Sequence, residues 1–525
     1  MTKRIKMIGP PGTGKTYRLV NHYLKKEIEE YKTPHKKILY VGFSNATVDE
    51  AKRRIDAVFP GNKINVRTLH SFGKYHLNHV FEKDGLLNSE KSWQHFSTLR
   101  NWGHINFASE YDQDAGYSRF QDWKMKTIEY AKNKKWGMDQ ISDALFDLGY
   151  QDRTQNIEEL EQLWLDIDNY KQDYKKHQFS DMIEKFVEED CSPSLECIFL
   201  DEAQDLNPLE WSMIEHLEKL ETVARSYVAG DDDQAIYAFK GGEASTFINL
   251  QGEEDPQIKS NRVPRSVHRE ALKVLGQISQ RIPKLCEPRE ESVGVYPNFI
   301  LHDINFNEGE WLIMTRRNNQ QGEIIKHLED DGQYIISPKS KLLPSAILKS
   351  WRTWDLLNKG EVVEAEDVKR MYNKVMGVNT GQLKKKPKHE AKSYTDGSRF
   401  DAYEYLTLEE LKRDHGLLIE GDWKQLKIEL DTVAHIESLL EKGVDLHAEP
   451  RIRVSTIHKM KGGEADNVIL FTDMTDFIFN QTSKRRSTRD TEHRVWFVAI
   501  TRAKKALYYM QQGIENQYVP GKDIL

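Results

Sequence analysis

Between Gly9 and Thr16 the chain reads Gly-Pro-Pro-Gly-Thr-Gly-Lys-Thr, a glycine-rich loop closed by a lysine and a hydroxyl. Glycines at these spacings let backbone N–H groups turn inward around a polyphosphate, and a helix starting at the lysine adds the positive end of its dipole. In that arrangement Lys15 reaches the β and γ phosphates of ATP and Thr16 offers its hydroxyl to Mg²⁺. The candidate nucleotide contacts are therefore Gly9, Pro10, Pro11, Gly12, Thr13, Gly14, Lys15 and Thr16, with Tyr17 and Arg18 next to them at the start of the helix. A glycine-rich turn that binds nothing is the alternative. The apolar run ending at Ile8 and the helical pattern from Lys15 supply the strand and helix that the phosphate-binding reading requires.

A second constellation follows the apolar run Leu195 to Leu200, where Asp201-Glu202-Ala203-Gln204-Asp205 places acids at the C-terminal end of a strand. Ligands of open α/β sheets bind at that edge. Asp201 can hold Mg²⁺ through water, and Glu202 can orient and deprotonate an attacking water. Alone, such a cluster is more often a solvated strand end or a helix cap. The glycine-rich loop upstream tips the reading toward phosphoryl chemistry.

The elements that must position these residues alternate by type. Short strands are expected at Arg4 to Ile8, Lys37 to Phe43, Cys197 to Leu200 and Tyr227 to Ala229, with helices from Lys15 and over Val48 to Phe59. From Lys74 to Asp190 the chain turns to long, charged, aromatic-rich segments with helical spacing, such as Ile157 to Tyr174. Strand signals return at Trp311 to Met314, Ile452 to Ser455, Val468 to Thr472 and Leu507 to Met510, with a helix over Gly322 to Gly332. Between Lys341 and Ala448 the pattern is again helical and charged, with a basic run at Lys384 to Lys388. The simplest account is two α/β cores, each interrupted by a helical insertion.

Length agrees, since 525 residues exceed the roughly 250 to 300 at which one core stops growing. Hydrophobic residues at 38% and charged residues at 30% exclude a disordered or fibrous chain. Cys191, Cys197 and Cys286 fit no zinc pattern or disulfide framework. With no apolar run of the ~20 residues a bilayer requires and no signal-peptide core, a cytoplasmic protein without membrane contact is expected. The formal charge of −7, from 76 basic and 83 acidic residues, excludes a uniformly basic surface, so any nucleic acid must be held by local patches. One candidate patch interleaves Trp123, Lys124, Lys126, Tyr130, Lys132, Lys134, Lys135 and Trp136. It reads as a duplex-contacting face or as a solvated amphipathic helix.

Further along, Gly230-Asp-Asp-Asp-Gln234-Ala-Ile-Tyr237-Ala-Phe239-Lys240-Gly241 resembles the third motif of UvrD/Rep-type superfamily 1 helicases, and the 201–205 acids resemble their Walker B. The likeness is collinear. Phe43-Ser44-Asn45 is similar to motif Ia, Thr68-Leu69-His70-Ser71-Phe72 to motif Ic, and Gln178 to Met182 to the short motif before Walker B. Asn261-Arg262-Val-Pro-Arg265-Ser266 and Ile313 to Arg316 are similar to the elements around motif IV, Thr456 to Glu464 to motif V, and Val498 to Ala503 to motif VI.

This resemblance implies an α/β fold with two RecA-like, P-loop-type parallel-sheet domains. The first would comprise 1–73 and 191–262 with an insertion at 74–190, and the second 263–340 and 449–525 with an insertion at 341–448. It implies an ATP-dependent DNA helicase that moves 3′ to 5′ on single-stranded DNA, with ATP and Mg²⁺ as cofactors. Gln234 would sense the γ phosphate, Arg262 and Arg502 would reach across from the second core as arginine fingers, and Glu464 would bind the ribose. Lys15, Glu202, Gln234, Arg262 and Arg502 form the catalytic set, and Thr16 and Asp201 the metal pair. For the DNA track the candidates are Phe43, Asn45, Thr68, His70, Tyr237, Phe239, Thr456 and His458; base stacking on aromatic faces tolerates any sequence. The expected partners are single-stranded DNA and its junctions with duplex, with RNA less favoured and no protein partner specified. Two departures stand out: no glutamine precedes Gly9, and Asn261 occupies the place of a base-stacking tyrosine, so either relaxed nucleotide choice or a substitute base clamp is expected. Two other activities remain open: an ATPase that translocates or strips proteins without unwinding, and a nucleotide-dependent binding switch.

Overall fold

The computed structural model describes residues 2–77, 85–87, 90–103, 105, 122–291, 294–299, 301, 304–306, 308–377, 381–384, 400, 403–510, 516–522 and 524. Positions 385–388 of the expected basic run lie outside these residues. The chain divides into two compact units: Met1–Asn298 with Ile457–Ala465 and Thr472–Leu525, and Phe299–Thr456 with Asp466–Phe471.

The first unit is organised by a parallel sheet of six strands, β1 (Lys3–Ile8), β2 (Ile38–Val41), β3 (Asn65–Arg67), β4 (Cys197–Leu200), β5 (Arg225–Gly230) and β6 (Glu253–Pro256), in the order β3-β2-β4-β5-β1-β6. β2 and β4 are buried along their whole length, which explains their unbroken apolar sequences. β4 pairs Cys197 to Leu200 with Arg225 to Val228 of β5, and β1 pairs Lys3 to Ile8 with Arg225 to Gly230. The C-terminal ends of β1, β4 and β5 thus lie side by side and deliver the glycine-rich loop, Asp201 and the Asp231 turn to one edge. Strand β2 stops at Val41, short of the expected Phe43, because Ser44 caps the next helix, Asn45–Val58, by accepting the Thr47 N–H at 3.2 Å.

Within the same unit, helices Trp123–Asn133, Ile141–Asp147 and Ile157–Asp173 enclose a separate core around Trp93, Phe96, Met125, Ile128, Leu163 and Ile167. The segment is helical, as its spacing implied. Three lysines of its basic and aromatic set are engaged by side chains of the chain itself: Lys124 pairs with Glu159, Lys134 with Glu243, and buried Lys132 donates to Gln178 at 2.8 Å and Asp168 at 3.2 Å. Tyr130, also buried, donates to Asp147 at 3.0 Å.

In the second unit, strands Ile335–Ile336, Ile452–Thr456, Trp311–Thr315 and Ala465–Phe471 lie parallel in that order. Helices Ser345–Asn358, Ala365–Val375, Leu408–Asp414 and Leu430–Glu441 pack on apolar clusters that include Trp354, Val368, Met371, Leu411 and Ile436. Both units are therefore of the α/β class with parallel sheets. No helix of the described residues is long and apolar enough to cross a membrane. The three cysteines are free thiols.

Candidate active site

The glycine-rich loop adopts the conformation its sequence calls for. Gly12 and Gly14 have φ of 77° and 81°, in the left-handed region that side chains avoid. A Cβ on Gly12 would also stand 2.4 Å from the Cβ of Arg262 and 2.8 Å from the Ser260 hydroxyl. That close approach is fixed by Ser260, which donates to the Pro11 carbonyl at 2.7 Å, and by the Asn261 N–H, which donates to the Gly12 carbonyl at 2.9 Å. Lys15 is buried and folds back to donate to the Gly9 carbonyl at 2.8 Å. The helix beginning at Lys15 passes through a π segment at Leu19–Leu24.

Across from the loop, Thr16 donates to Asp201 at 2.7 Å and Tyr40 donates to the same carboxylate oxygen at 3.1 Å. Burial, with the Glu202 charge beside it, pushes Asp201 up to about 6. Glu202 has φ of 58°, a left-handed backbone that costs a non-glycine residue roughly 1–3 kcal/mol. Its N–H donates to Asp201 at 3.0 Å. Burial raises Glu202, but the cations of Lys461 and Lys15 and a bond from Gln204 outweigh it, so the carboxylate is held below its ordinary range. A buried carboxylate beside a hydroxyl is the all-oxygen donor set that a hard divalent ion takes with retained water, so Thr16 and Asp201 fit Mg²⁺.

The C-terminal motifs arrive at the same place. Arg502 is fully buried and donates to the Gln234 side-chain oxygen at 2.9 Å, while the Gln234 amide nitrogen donates to Asp231 at 2.7 Å. Burial and the neighbouring Arg262 pull Arg502 down to about 9, still a cation at neutral pH. Arg262 pairs with Glu464, which also meets Lys504 at 2.8 Å. Lys461 pairs with Asp205 and donates to the Gln234 backbone carbonyl at 2.6 Å. Pro11 to Arg18, Glu202, Gln234, Arg262, Lys461, Glu464 and Arg502 line one cavity of about 1060 Å³, about the upper limit of small-molecule sites. All lie in the first compact unit.

Arg18, at the start of the helix, is engaged by Asp255 through bonds of 2.6 and 3.1 Å, and Tyr23 donates to the same carboxylate at 2.7 Å. Tyr17, which is 60% exposed, and Asn21, Gln257 and Asn261 also line the cavity.

Candidate track residues form an aromatic row. Phe43 stacks on Tyr237 with centroids 4.9 Å apart, Tyr237 meets Phe239 at 6.0 Å, and Phe239 meets His458 edge-on at 5.4 Å. Phe43 and Phe239 are half-buried, whereas Tyr237 is 8% exposed and Lys461 sits over its ring at 5.1 Å. Asn45 is exposed at the start of its helix, and Thr68 caps the next by accepting the Ser71 N–H at 3.3 Å. His70 lies 3.7 Å from Glu210. Thr456 is buried at a strand end in the second unit.

Lys461, Gln204, Asp205, Asp231, Arg281 and Lys284 were not singled out in the sequence as site residues. Lys461 sits within the motif V likeness, and Gln204 and Asp205 within Walker B. Lys284 follows the motif IV likeness with no local pattern to mark it.

Two family profiles match the chain: the UvrD/REP helicase N-terminal domain over residues 1–255 and the UvrD-like helicase C-terminal domain over residues 359–512. The chain is similar to YjcD of Bacillus subtilis (strain 168), a candidate ATP-dependent DNA helicase, at 22% identity over 596 aligned positions, covering 95% of this chain and 75% of that protein. It is also similar to the ATP-dependent DNA helicase PcrA of the same organism, at 21% identity over 389 positions, 68% of this chain and 49% of that protein.

Proposed function

The chain belongs to the UvrD/Rep type of superfamily 1 helicases and is an ATP-dependent DNA helicase, and from that premise we propose that it moves 3′ to 5′ along single-stranded DNA and unwinds duplex at the junction. One observation carries the mechanism: Arg502 and Lys461, from the C-terminal motifs, are hydrogen-bonded to Gln234 in the cavity that Lys15 and Glu202 line. In this reading 1–73 with 191–262 and 263–340 with 449–525 make up the two RecA-like domains, and the chain acts in the cytoplasm.

Lys15 and the backbone N–H groups of the loop between Gly12 and Thr16 hold the β and γ phosphates. Thr16 and Asp201 would hold Mg²⁺, whose chemistry when bound is charge neutralisation at the phosphate oxygens. Glu202, kept ionised by Lys461 and Lys15, accepts the proton of the attacking water. Arg502 and Arg262 neutralise charge that grows on the γ phosphoryl group. Because Arg262 and Glu464 are paired with each other, phosphate and ribose each replace one half of that ion pair as ATP binds. Gln234 lies three residues from Tyr237, whose hydroxyl donates to the His458 carbonyl at 3.5 Å, so a change at the phosphates is passed to the aromatic row. Phe43, Tyr237, Phe239 and His458 offer faces to bases, while Asn45, Thr68 and His70 offer polar groups to phosphates.

The test is strand displacement on a duplex with a 3′ single-stranded tail, beside 5′-tailed and RNA-tailed controls. ATP-dependent displacement from the 3′ tail is expected. Displacement from the 5′ tail alone would reverse the polarity, and DNA-stimulated ATP hydrolysis without displacement would leave a translocase that does not unwind.

A further inference from the structure

The acidic turn after β5 is clasped by a segment some fifty residues downstream. Lys284 is 5% exposed at its side chain and lies 2.7 Å from Asp231 and 2.9 Å from Asp233, with Asp232 in contact as well; all three carboxylates are buried. Arg281 makes two bonds to Asp233, at 2.8 and 2.6 Å, and the Ile282 N–H donates to Asp232 at 2.8 Å. Burying a lysine with three carboxylates is expensive, and packed apolar side chains in its place are often as stable. Such a cluster calls for a role beyond stability.

The role follows from the Gln234 amide. Its two ends have the same shape but opposite hydrogen-bonding character. An ionised Asp231 can only accept, so it draws the amide NH₂ toward itself and leaves the amide oxygen facing Arg502, the arrangement observed. A protonated Asp231 could donate instead, and the amide could then turn its NH₂ toward the Arg502 cation. Asp231 has one oxygen on Gln234 and the other on Lys284. The Asp231 N–H also donates to Gln204 at 2.9 Å, and the Gln204 NH₂ donates to Glu202 at 2.5 Å. The ammonium therefore backs the phosphate-sensing amide through the Asp231 carboxylate, and by holding that residue in place it also steadies the main-chain N–H from which the Gln204 bridge to the water-activating carboxylate begins.

We propose that Lys284 is a positioning residue for ATP hydrolysis, acting through Asp231 to fix the Gln234 amide with its oxygen toward Arg502 and, through Gln204, to hold Glu202. This rests on the roles given above to Gln234 and Glu202. Burial pushes Asp231 up, but Lys284, with Lys15 beyond it, outweighs that and holds the carboxyl below its ordinary range. Lys15 and the glycine-rich loop carry the phosphate contacts in this reading, so the loss expected on substituting Lys284 is in turnover rather than in ATP binding.

Single-stranded DNA-stimulated ATP hydrolysis is measured for the full chain and for Lys284→Met, Lys284→Arg and the double variant Lys284→Met/Asp232→Asn. Affinity for a fluorescent non-hydrolysable ATP analogue and Tm are measured alongside. Lys284→Met should lower kcat about 100-fold, the scale of losing an oriented group at developing charge, with analogue Kd unchanged within about threefold. Lys284→Arg should regain most of the turnover. The double variant should regain thermal stability, because one carboxylate charge is removed along with the cation, while kcat stays low. Recovery of wild-type kcat in the double variant, or analogue affinity falling as far as kcat in all three, would overturn the proposal and leave Lys284 a structural cation. Absence of turnover in the wild-type chain would instead contradict the hydrolytic reading itself, so the two failures are distinguishable.

Discussion

Strands β4 and β5 are neighbours in one sheet, and each delivers an acidic turn at its C-terminal end, yet the first carboxylate of each turn, Asp201 and Asp231, is answered by a different kind of partner. After β4, Asp201 receives bonds from two hydroxyls, and Glu202 lines the cavity. After β5, Asp231, Asp232 and Asp233 are closed over by Lys284 and Arg281 and have almost no exposure. A buried carboxylate answered by hydroxyls is left with charge for a cation or a proton in transit. One answered by ammonium and guanidinium groups has its charge matched and serves to hold its neighbours. The lesson is that an acidic cluster at a strand end acquires its meaning from its partners rather than from its own composition.

The comparison can be broken most severely from the cation side of the first turn. Lys15→Ala removes the ammonium that faces both the phosphates and Glu202, and ATP hydrolysis should fall about 1000-fold or more with an unchanged circular dichroism spectrum. Substantial residual DNA-stimulated turnover would mean that the loop does not carry the phosphates.

A smaller effect sharpens the contrast with a third kind of buried acid. Glu210 accepts the Asn207 N–H at 3.0 Å in a capping box, and burial pushes it from 4.5 up to about 7. An acid raised in the fold binds its proton more tightly than the unfolded chain does. Its contribution to stability is thus full below its ordinary value and is lost as pH rises through about 7. Glu210→Gln keeps the acceptor without the charge, so Tm should rise by about 2 °C at pH 8 and stay unchanged at pH 5. An equal change at both pH values would place the effect in packing instead.

What the sequence disclosed follows the same division between local and distant determinants. The phosphate loop was legible because its conformation is set by residues within it: glycines where φ is positive, then a helix start. Strand β4 was placed to the residue because a fully buried strand is apolar throughout. The basic and aromatic set of 123–136 was less transparent, since helical spacing does not say that Lys124, Lys132 and Lys134 turn toward Glu159, Asp168 and Glu243. The partner of Arg18 was equally out of reach, because Asp255 is brought next to β1 only by the sheet. Lys284 was invisible for the strongest form of this reason, as its partners lie about fifty residues upstream and no local spacing links them.

The most direct measurement of the account compares wild type with Glu202→Gln, following ATP-analogue Kd and single-stranded DNA-stimulated kcat in the same preparations. The amide cannot take a proton from water but fills the same space, so kcat should fall about 100- to 10 000-fold while Kd stays within about threefold. A Kd that weakens as much as kcat falls would make Glu202 a structural or metal-holding group and contradict the assignment of the β4 turn as the one that performs the chemistry.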